Sequence, residues 1–307
     1  MITIPETDLV VHPLCLGGNV FGWSADEAQS HAVLDAYVGH GGNFVDTADM
    51  YSQWKEGNTG GDSEKIIGTW IKARGNRNQM VIATKVAKHS KRPGLSATNI
   101  LAACDESLDR LQIDCIDLYY SHQDDESVSM EETMGAYAQL IAQGKVRYIA
   151  ASNFTPARLQ EALAFSAENS LPSYIAVQDQ YNLMAREPFE SQTAPILAEH
   201  AISAIPFFGL ARGFLTGKYR PGATVNSVRA GGVADYTNDK GYGVVAALDE
   251  IAKNHNTSLG AIALAWLRAN PVVSAPIASA RTVEQLNEIV QIIELSAAEV
   301  EQLNAIS

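Results

Sequence analysis

Cysteine is scarce. Cys15, Cys104 and Cys115 are three in 307 residues, an odd number with no paired spacing. That argues against a disulfide framework or a cysteine-based zinc motif, and small reduced hydrophobes in the cytoplasm are the plain reading. Positive charge is also in short supply. The 22 Lys and Arg face 35 Asp and Glu, a net charge of −13, which argues against nucleic acid or an anionic membrane as a partner. No apolar run reaches the length of a membrane span. The opening MITIPETDLVV lacks basic residues ahead of an apolar stretch, so no signal peptide is expected. Three chemical signatures are missing too: a G-x-G-x-x-G opening a helix, a nucleophile elbow, and a cluster of metal ligands. No metal is expected.

What remains is an ordinary globular composition, 46% hydrophobic and 19% charged, with strong alternation along the chain. Apolar, strand-like runs fall at 13–16, 43–46, 80–85, 115–120, 146–152, 174–178, 201–207 and 272–277. Helical patterns lie between and after them, at 24–40, 63–72, 96–111, 131–143, 156–167, 188–200, 244–254, 258–269, 283–293 and 297–305. Ser24 and Glu27 offer a capping box for the first helix. A Gly-rich segment at about 209–243 is too long for a simple connector and reads as a functional lid or a partly disordered loop. Strands that are nearly continuous apolar runs are covered on both faces. Eight strand–helix alternations in one domain, residues 1–307, point to a (β/α)8 TIM barrel with N-terminal cap strands and an extra C-terminal helix, ahead of a doubly wound open sheet.

In such a barrel the chemistry sits at the C-terminal ends of the strands. The second strand ends in Asp46, inside the stretch NFVDTADMY, with Tyr51 just beyond. The third ends in Lys85, the fourth in His122, the fifth in Ser152-Asn153 and the sixth in Gln178. A lysine closing the run MVIAT is costly to bury without a partner, and Asp46 can be that partner. A free phenol has a pKa of about 10, so the expectation is that the Lys85 ammonium lowers it and makes Tyr51 a usable proton donor. His122 can polarise a carbonyl oxygen. With no nucleophile in sight, the carbonyl carbon is left for an external hydride.

These residues carry a resemblance that runs nearly end to end. Leu16-Gly17-Gly18, NFVDTADMY, VIATK, SLDRLQIDCIDLYYSH, GKVRYIAASNF, QYNL, GFLTGKY and APIASARTVEQL together resemble the aldo-keto reductases, in a short-loop bacterial-type form. The resemblance implies a catalytic tetrad of Asp46, Tyr51, Lys85 and His122. It implies that Ser152, Asn153 and Gln178 hold a nicotinamide carboxamide and that Phe207 stacks on its ring. Leu210, Gly213, Leu215 and Lys218 would follow the pyrophosphate, with Ser279, Arg281 and Gln285 at the adenosine end. A guanidinium at Arg281 suits a 2′-phosphate, so NADPH (NADP+) is expected over NADH.

Ala151, Ser279 and Ile289 depart from the family's usual residues at the cofactor positions. Several alternatives stay open. Ser152 and Asn153 also read as a helix cap before Thr155-Pro156. Trp23 and Trp54 serve equally well as packing or as substrate contacts. Lys218 reads also as a solvated loop lysine, and Arg212, Arg220 and Arg229 have no assignment. The function expected is an NADPH-dependent carbonyl reductase, converting small-molecule aldehydes or ketones to alcohols and back. The alternative is a cofactor-binding regulatory subunit of a larger assembly, such as the potassium-channel β subunits of the same family. A phosphosugar hydrolase or isomerase lacks its Gly-rich phosphate turn after the seventh or eighth strand. Neither the substrate nor the oligomeric state follows from the sequence.

Overall fold

The computed structural model describes residues 1–222, 225 and 230–307. Its centre is a ring of eight short parallel strands: β1 (Cys15–Gly17), β2 (Phe44–Asp46), β3 (Val81–Val86), β4 (Ile116–Ser121), β5 (Val146–Ser152), β6 (Tyr174–Gln178), β7 (Ser203–Ala204) and β8 (Ile277–Ala278). Seven consecutive pairings run β7-β6-β5-β4-β3-β2-β1-β8. The ring closes through a parallel bridge between Ala204 and Val273, with Ala204 N–H donating to Val272 O and Ser274 N–H to Ala204 O at 2.7 and 3.0 Å. This is the (β/α)8 barrel expected from the alternation.

Two apolar layers hold it. The barrel interior is filled by Cys15, Phe44, Val81, Ala83, Leu118, Tyr120, Ala150, Ala176, Ile205, Ala275 and Ile277. Ile4, Leu9 and Val11 join the same cluster, because the antiparallel hairpin of Ile2–Thr3 and Val10–Val11 closes one end. The opposite face of the strands packs under the helices: Ile82, Tyr119, Ile149 and Val177 belong to the outer layer.

The helices α1 (Glu27–Gly39), α2 (Asp62–Arg74), α3 (Ala97–Leu111), α4 (Met130–Ala142) and α5 (Pro156–Asn169) follow the first five strands. Most start where a side chain can cap them: Ser96, Ser129 and Thr155 each accept the N–H three residues on. The first helix starts later than the Ser24–Glu27 pattern predicts. Asp26 and Gln29 form the capping box instead, since Ser24 N–H is spent in a turn on Val20 O.

The 188–200 pattern is broken as well. Pro188 follows a cis peptide, residues Phe189–Thr193 make a π-type turn, and only α6 (Ala194–Glu199) is α-helical. Proline also shortens the last two strands: Pro206 and Pro276 have no N–H for a ladder. The segment read as a loop at 209–243 contains tight 3₁₀ turns at Ala211–Thr216 and Ala230–Tyr236, and α7 (Asp239–His255) already begins inside it. Arg229 lies outside the described residues. Then come α8 (Leu259–Arg268), α9 (Val283–Ile289, shorter than its pattern) and the C-terminal α10 (Ala297–Ile306). Among the described residues no helix is long and apolar enough to cross a membrane.

Candidate active site

Side chains alternate across a strand, so residues two apart face the same way. Stepping two positions on from the interior cluster gives the ring of polar residues at the barrel's open end. Phe44 leads to Asp46, Ala83 to Lys85, Tyr120 to His122, Ala150 to Ser152, Ala176 to Gln178, Ile205 to Phe207 and Ile277 to Ser279. Each is the next inward position above an apolar layer. All but Lys85 line one cavity of about 780 Å³, which Tyr51, Asn153, Leu210, Gly213, Lys218, Arg281, Gln285 and Trp54 also line. That volume is ordinary for a cofactor or ligand site.

Lys85 lies beneath the cavity floor, fully buried. Its ammonium has three protons and three acceptors: Asp46 Oδ2 at 2.6 Å, Thr47 O at 2.7 Å and the Tyr51 hydroxyl oxygen at 3.0 Å. The ammonium is thus saturated, and Tyr51 receives a bond while keeping its own proton. The nearest acceptor for that proton is Asp46 Oδ2, at a long 3.4 Å. Gln178 Nε2 donates to Asp46 Oδ1 at 3.0 Å, so both carboxylate oxygens are engaged.

The expected lowering of the phenol's pKa is not what this arrangement produces. Burial, then the charge of Asp46 and the hydrogen bond to it, hold Tyr51 well above the usual phenol range. The reason is local: the lysine's charge is committed to a carboxylate that also accepts from the phenol. Burial also pulls Lys85 down, and Asp46 pulls it part of the way back. His122 is held neutral, its pKa pushed far down by burial and then by Lys85 and Lys88. Its Nδ1 is buried with no partner, and its ring meets that of Tyr51 edge to face at 6.0 Å.

The other expected residues separate into three groups. Ser152 and Asn153 are not a helix cap, since Thr155 caps α5; Ser152 Oγ donates to Gln178 O at 2.6 Å, and Asn153 Nδ2 to Ser152 Oγ and His122 O, both at 2.9 Å. They tie β4, β5 and β6 together at the mouth. Phe207, Leu210, Gly213, Lys218, Ser279, Arg281 and Gln285 form the walls running away from Tyr51. Leu215 and Trp23 do not line the cavity: Leu215 is wholly buried in the outer core, and Trp23 packs edge-on behind Trp54 at 5.6 Å. Trp54 in turn packs against Tyr51 at 6.1 Å.

The sequence pattern does not mark Lys88 or Phe208 and leaves Arg212 unassigned; all three line the cavity. Arg212 stacks over the Phe208 ring at 4.8 Å, and its Nε is buried without a partner. A left-handed backbone at Phe208, Ala211, Arg212 and Gly213 builds that wall. Only the glycine among them signals such a conformation in sequence.

The cavity joins a phenol bonded to a buried lysine, a neutral imidazole and a row of polar and cationic walls. The class is that of an NAD(P)H-dependent oxidoreductase built on a (β/α)8 barrel. The model of the Aldo/keto reductase family matches residues 13–307, and the chain belongs to that family. Similar proteins include Protein tas of Escherichia coli (strain K12), 32% identical with 96% of this chain and 93% of its own length covered. Uncharacterized oxidoreductase YrpG of Bacillus subtilis (strain 168) is 32% identical over 95% and 90% of the two chains. The probable voltage-gated potassium channel subunit beta of Arabidopsis thaliana is 31% identical over 94% and 90%.

The residues fit a dinucleotide. The Arg281 side chain reaches the cavity with no hydrogen-bond or ion-pair partner among the described residues. An uncompensated guanidinium on a cavity wall suits a ligand rich in phosphate oxygens.

Proposed function

We propose that this protein is an NADPH-dependent carbonyl reductase that converts an aldehyde or ketone to the alcohol, reversibly, with Tyr51 as the proton donor. The observation that carries the reading is the 3.0 Å hydrogen bond from the Lys85 ammonium to the Tyr51 hydroxyl oxygen. That bond stabilises negative charge on the oxygen as the proton leaves. NADPH, when bound, supplies the hydride to the carbonyl carbon. Ser152, Asn153 and Gln178 would hold its carboxamide end, Phe207 would meet the ring, Leu210, Gly213 and Lys218 would follow the phosphates, and Ser279, Arg281 and Gln285 would take the adenosine end.

The neutral imidazole of His122 donates a hydrogen bond to the carbonyl oxygen and polarises it without competing for the proton. Tyr51 then gives up its proton to the developing alkoxide. Burial and Asp46 hold the phenol protonated through the neutral range, so the donor is loaded for reduction. Asp46 and Gln178 act as positioning residues: they fix the lysine that touches the phenol.

Tyr51→Phe tests the reading. The variant is expected to bind NADPH, followed by fluorescence titration, while losing about 10²–10⁴ in turnover of a carbonyl panel. Full activity in Tyr51→Phe overturns it. A second reading comes from the relative named as a potassium channel subunit beta: a cofactor-binding regulatory subunit with little turnover. Tight NADPH binding with no carbonyl reduced by the unaltered chain supports that reading instead.

A further inference from the structure

Lys85 and Lys88 are three residues apart and are treated in opposite ways. Lys85 gives its three N–H bonds to three oxygens. Lys88 is half-buried and lines the cavity with Tyr51, Trp54 and His122, yet its ammonium has no hydrogen-bond or ion-pair partner among the described residues. Burial first, then the charge of Lys85, lower its pKa, and no carboxylate counters either. Neither carboxylate that lines the cavity among the described residues compensates it: Asp46 is bonded to Lys85 and Gln178, and neither Asp46 nor Glu288 on α9 raises its pKa.

The position of Lys88 is built. Ala87 has φ +107, a conformation that strains an L-residue and turns the chain sharply off the end of β3. Lys88 and His89 then pair with Arg92 and Pro93 in a two-residue hairpin, and Gly94 N–H donates to Ala87 O at 2.9 Å. His89 Nε2 is bonded to Thr59 O at 3.0 Å, which ties the hairpin to the loop after Trp54. In a chain with 35 acidic and 22 basic residues, a cation left uncompensated in the cavity that holds the reactive phenol is an unmet cost. An incoming anion removes that cost.

We propose that Lys88 selects carbonyl substrates that carry an anionic group, a carboxylate or a phosphate, and anchors that group while the carbonyl reaches Tyr51 and His122. The Trp54 face, 44% exposed at the same mouth, gives the body of such a substrate an apolar wall. The Lys88 charge acts on His122, so the anchor belongs to the catalytic end of the cavity. This inference rests on the reductase reading above.

The test uses NADPH and three matched aldehydes: para-carboxybenzaldehyde, para-formylphenyl phosphate and the uncharged methyl ester of the first. The anionic substrates are expected to exceed the ester in kcat/KM by about tenfold or more, as a charged hydrogen bond allows. The better of the two identifies carboxylate or phosphate as the preferred group. Added salt narrows the gap. Lys88→Gln brings the ratio near one, Lys88→Glu inverts it, and Lys88→Arg keeps it, which separates charge recognition from a folding defect. Equal kcat/KM for charged and neutral aldehydes, unmoved by Lys88→Gln, overturns the role of Lys88 and leaves the reductase reading standing. Turnover of none of the three overturns the reductase reading and this inference with it.

Discussion

The ring of residues at the strand ends and the turns just above it are built on opposite rules. In the ring, Asp46, Lys85, Ser152 and Gln178 are buried and bonded to one another. Among the described residues, Asp49, three beyond Asp46, is buried with neither carboxylate oxygen partnered, and Lys88, three beyond Lys85, has no partner for its ammonium. Arg281, two past Ser279, likewise has a side chain without a partner among the described residues. A saturated network is rigid and holds its geometry before any ligand arrives. Unsatisfied groups hold free energy that a ligand or a proton can release. The lower tier is therefore suited to catalysis and the upper tier to recognition.

The sharpest way to break that comparison is to remove a member of the saturated tier. Lys85→Met leaves Asp46 buried with Gln178 and the long bond from Tyr51 as its remaining donors. Stability is expected to fall by about 3–5 kcal/mol, as for other half-broken buried pairs, and turnover by about 10²–10⁴. The double variant Asp46→Asn/Lys85→Met removes the orphaned charge and should regain much of the unfolding midpoint without regaining turnover. If Lys85→Met loses less than about 1 kcal/mol in denaturant titration, the pair is a surface-like ion pair and the tiers do not differ.

The lower tier was legible because it obeys a period. Every member sits two positions past an interior apolar residue, so a polar group ending an apolar run marks the mouth. Helix caps were less plain: the Ser24–Glu27 pattern fell two residues short of the Asp26–Gln29 box, and Thr155, not Ser152-Asn153, caps α5. The upper tier was not legible, because its placement depends on backbone turns without a sequence mark. Ala87 turns left-handed with no glycine to announce it, so nothing in the sequence points to Lys88. Leu215 and Trp23 look like site residues in sequence, yet their turns direct one into the core and the other behind Trp54. The phenol's pKa failed for a different reason: sequence showed that a lysine and an aspartate meet Tyr51, but not that burial and the aspartate outweigh the ammonium.

Asp49 sharpens the comparison from the upper tier. Burial and then the charge of Glu64 on α2 push its pKa up to about 7, against the pull of Arg92 in the hairpin, Arg110 on α3 and Lys85 on β3. In the unfolded chain the same carboxyl titrates near about 4. Between those values the folded state holds the extra proton, so stability falls as pH rises through that window and stays low above it. A carboxyl whose folded and unfolded pKa values differ by one changes stability by about 1.4 kcal/mol, so the loss across this window amounts to a few kcal/mol. Asp49→Asn should match the parent in urea titrations near the acid end of the window and exceed it at about pH 8. A pH-independent difference between the two would mean that Asp49 has a partner in solution.

Arg281 gives the smallest and most selective effect. Its guanidinium reaches the cavity from the turn after β8, and Gln285 Oε1 accepts its backbone N–H at 3.0 Å, which fixes the turn without using the side chain. The side chain is therefore free to meet a phosphate, and Arg281→Ala removes that contact while leaving the turn intact. NADPH affinity is expected to weaken by about ten- to a hundredfold, the worth of a charge-assisted hydrogen bond. NADH, which lacks the 2′-phosphate, should change by less than about threefold, since an exposed charge interacts weakly at long range. Fluorescence titration of both nucleotides against both proteins measures the four constants. Equal weakening of NADPH and NADH would place Arg281 in the turn's architecture, and the upper tier would then lose its recognition role at this end of the cavity. Gln285→Ala is the companion measurement: it frees the backbone N–H, so a structural role for the turn moves both nucleotides together there and leaves the preference for NADPH intact.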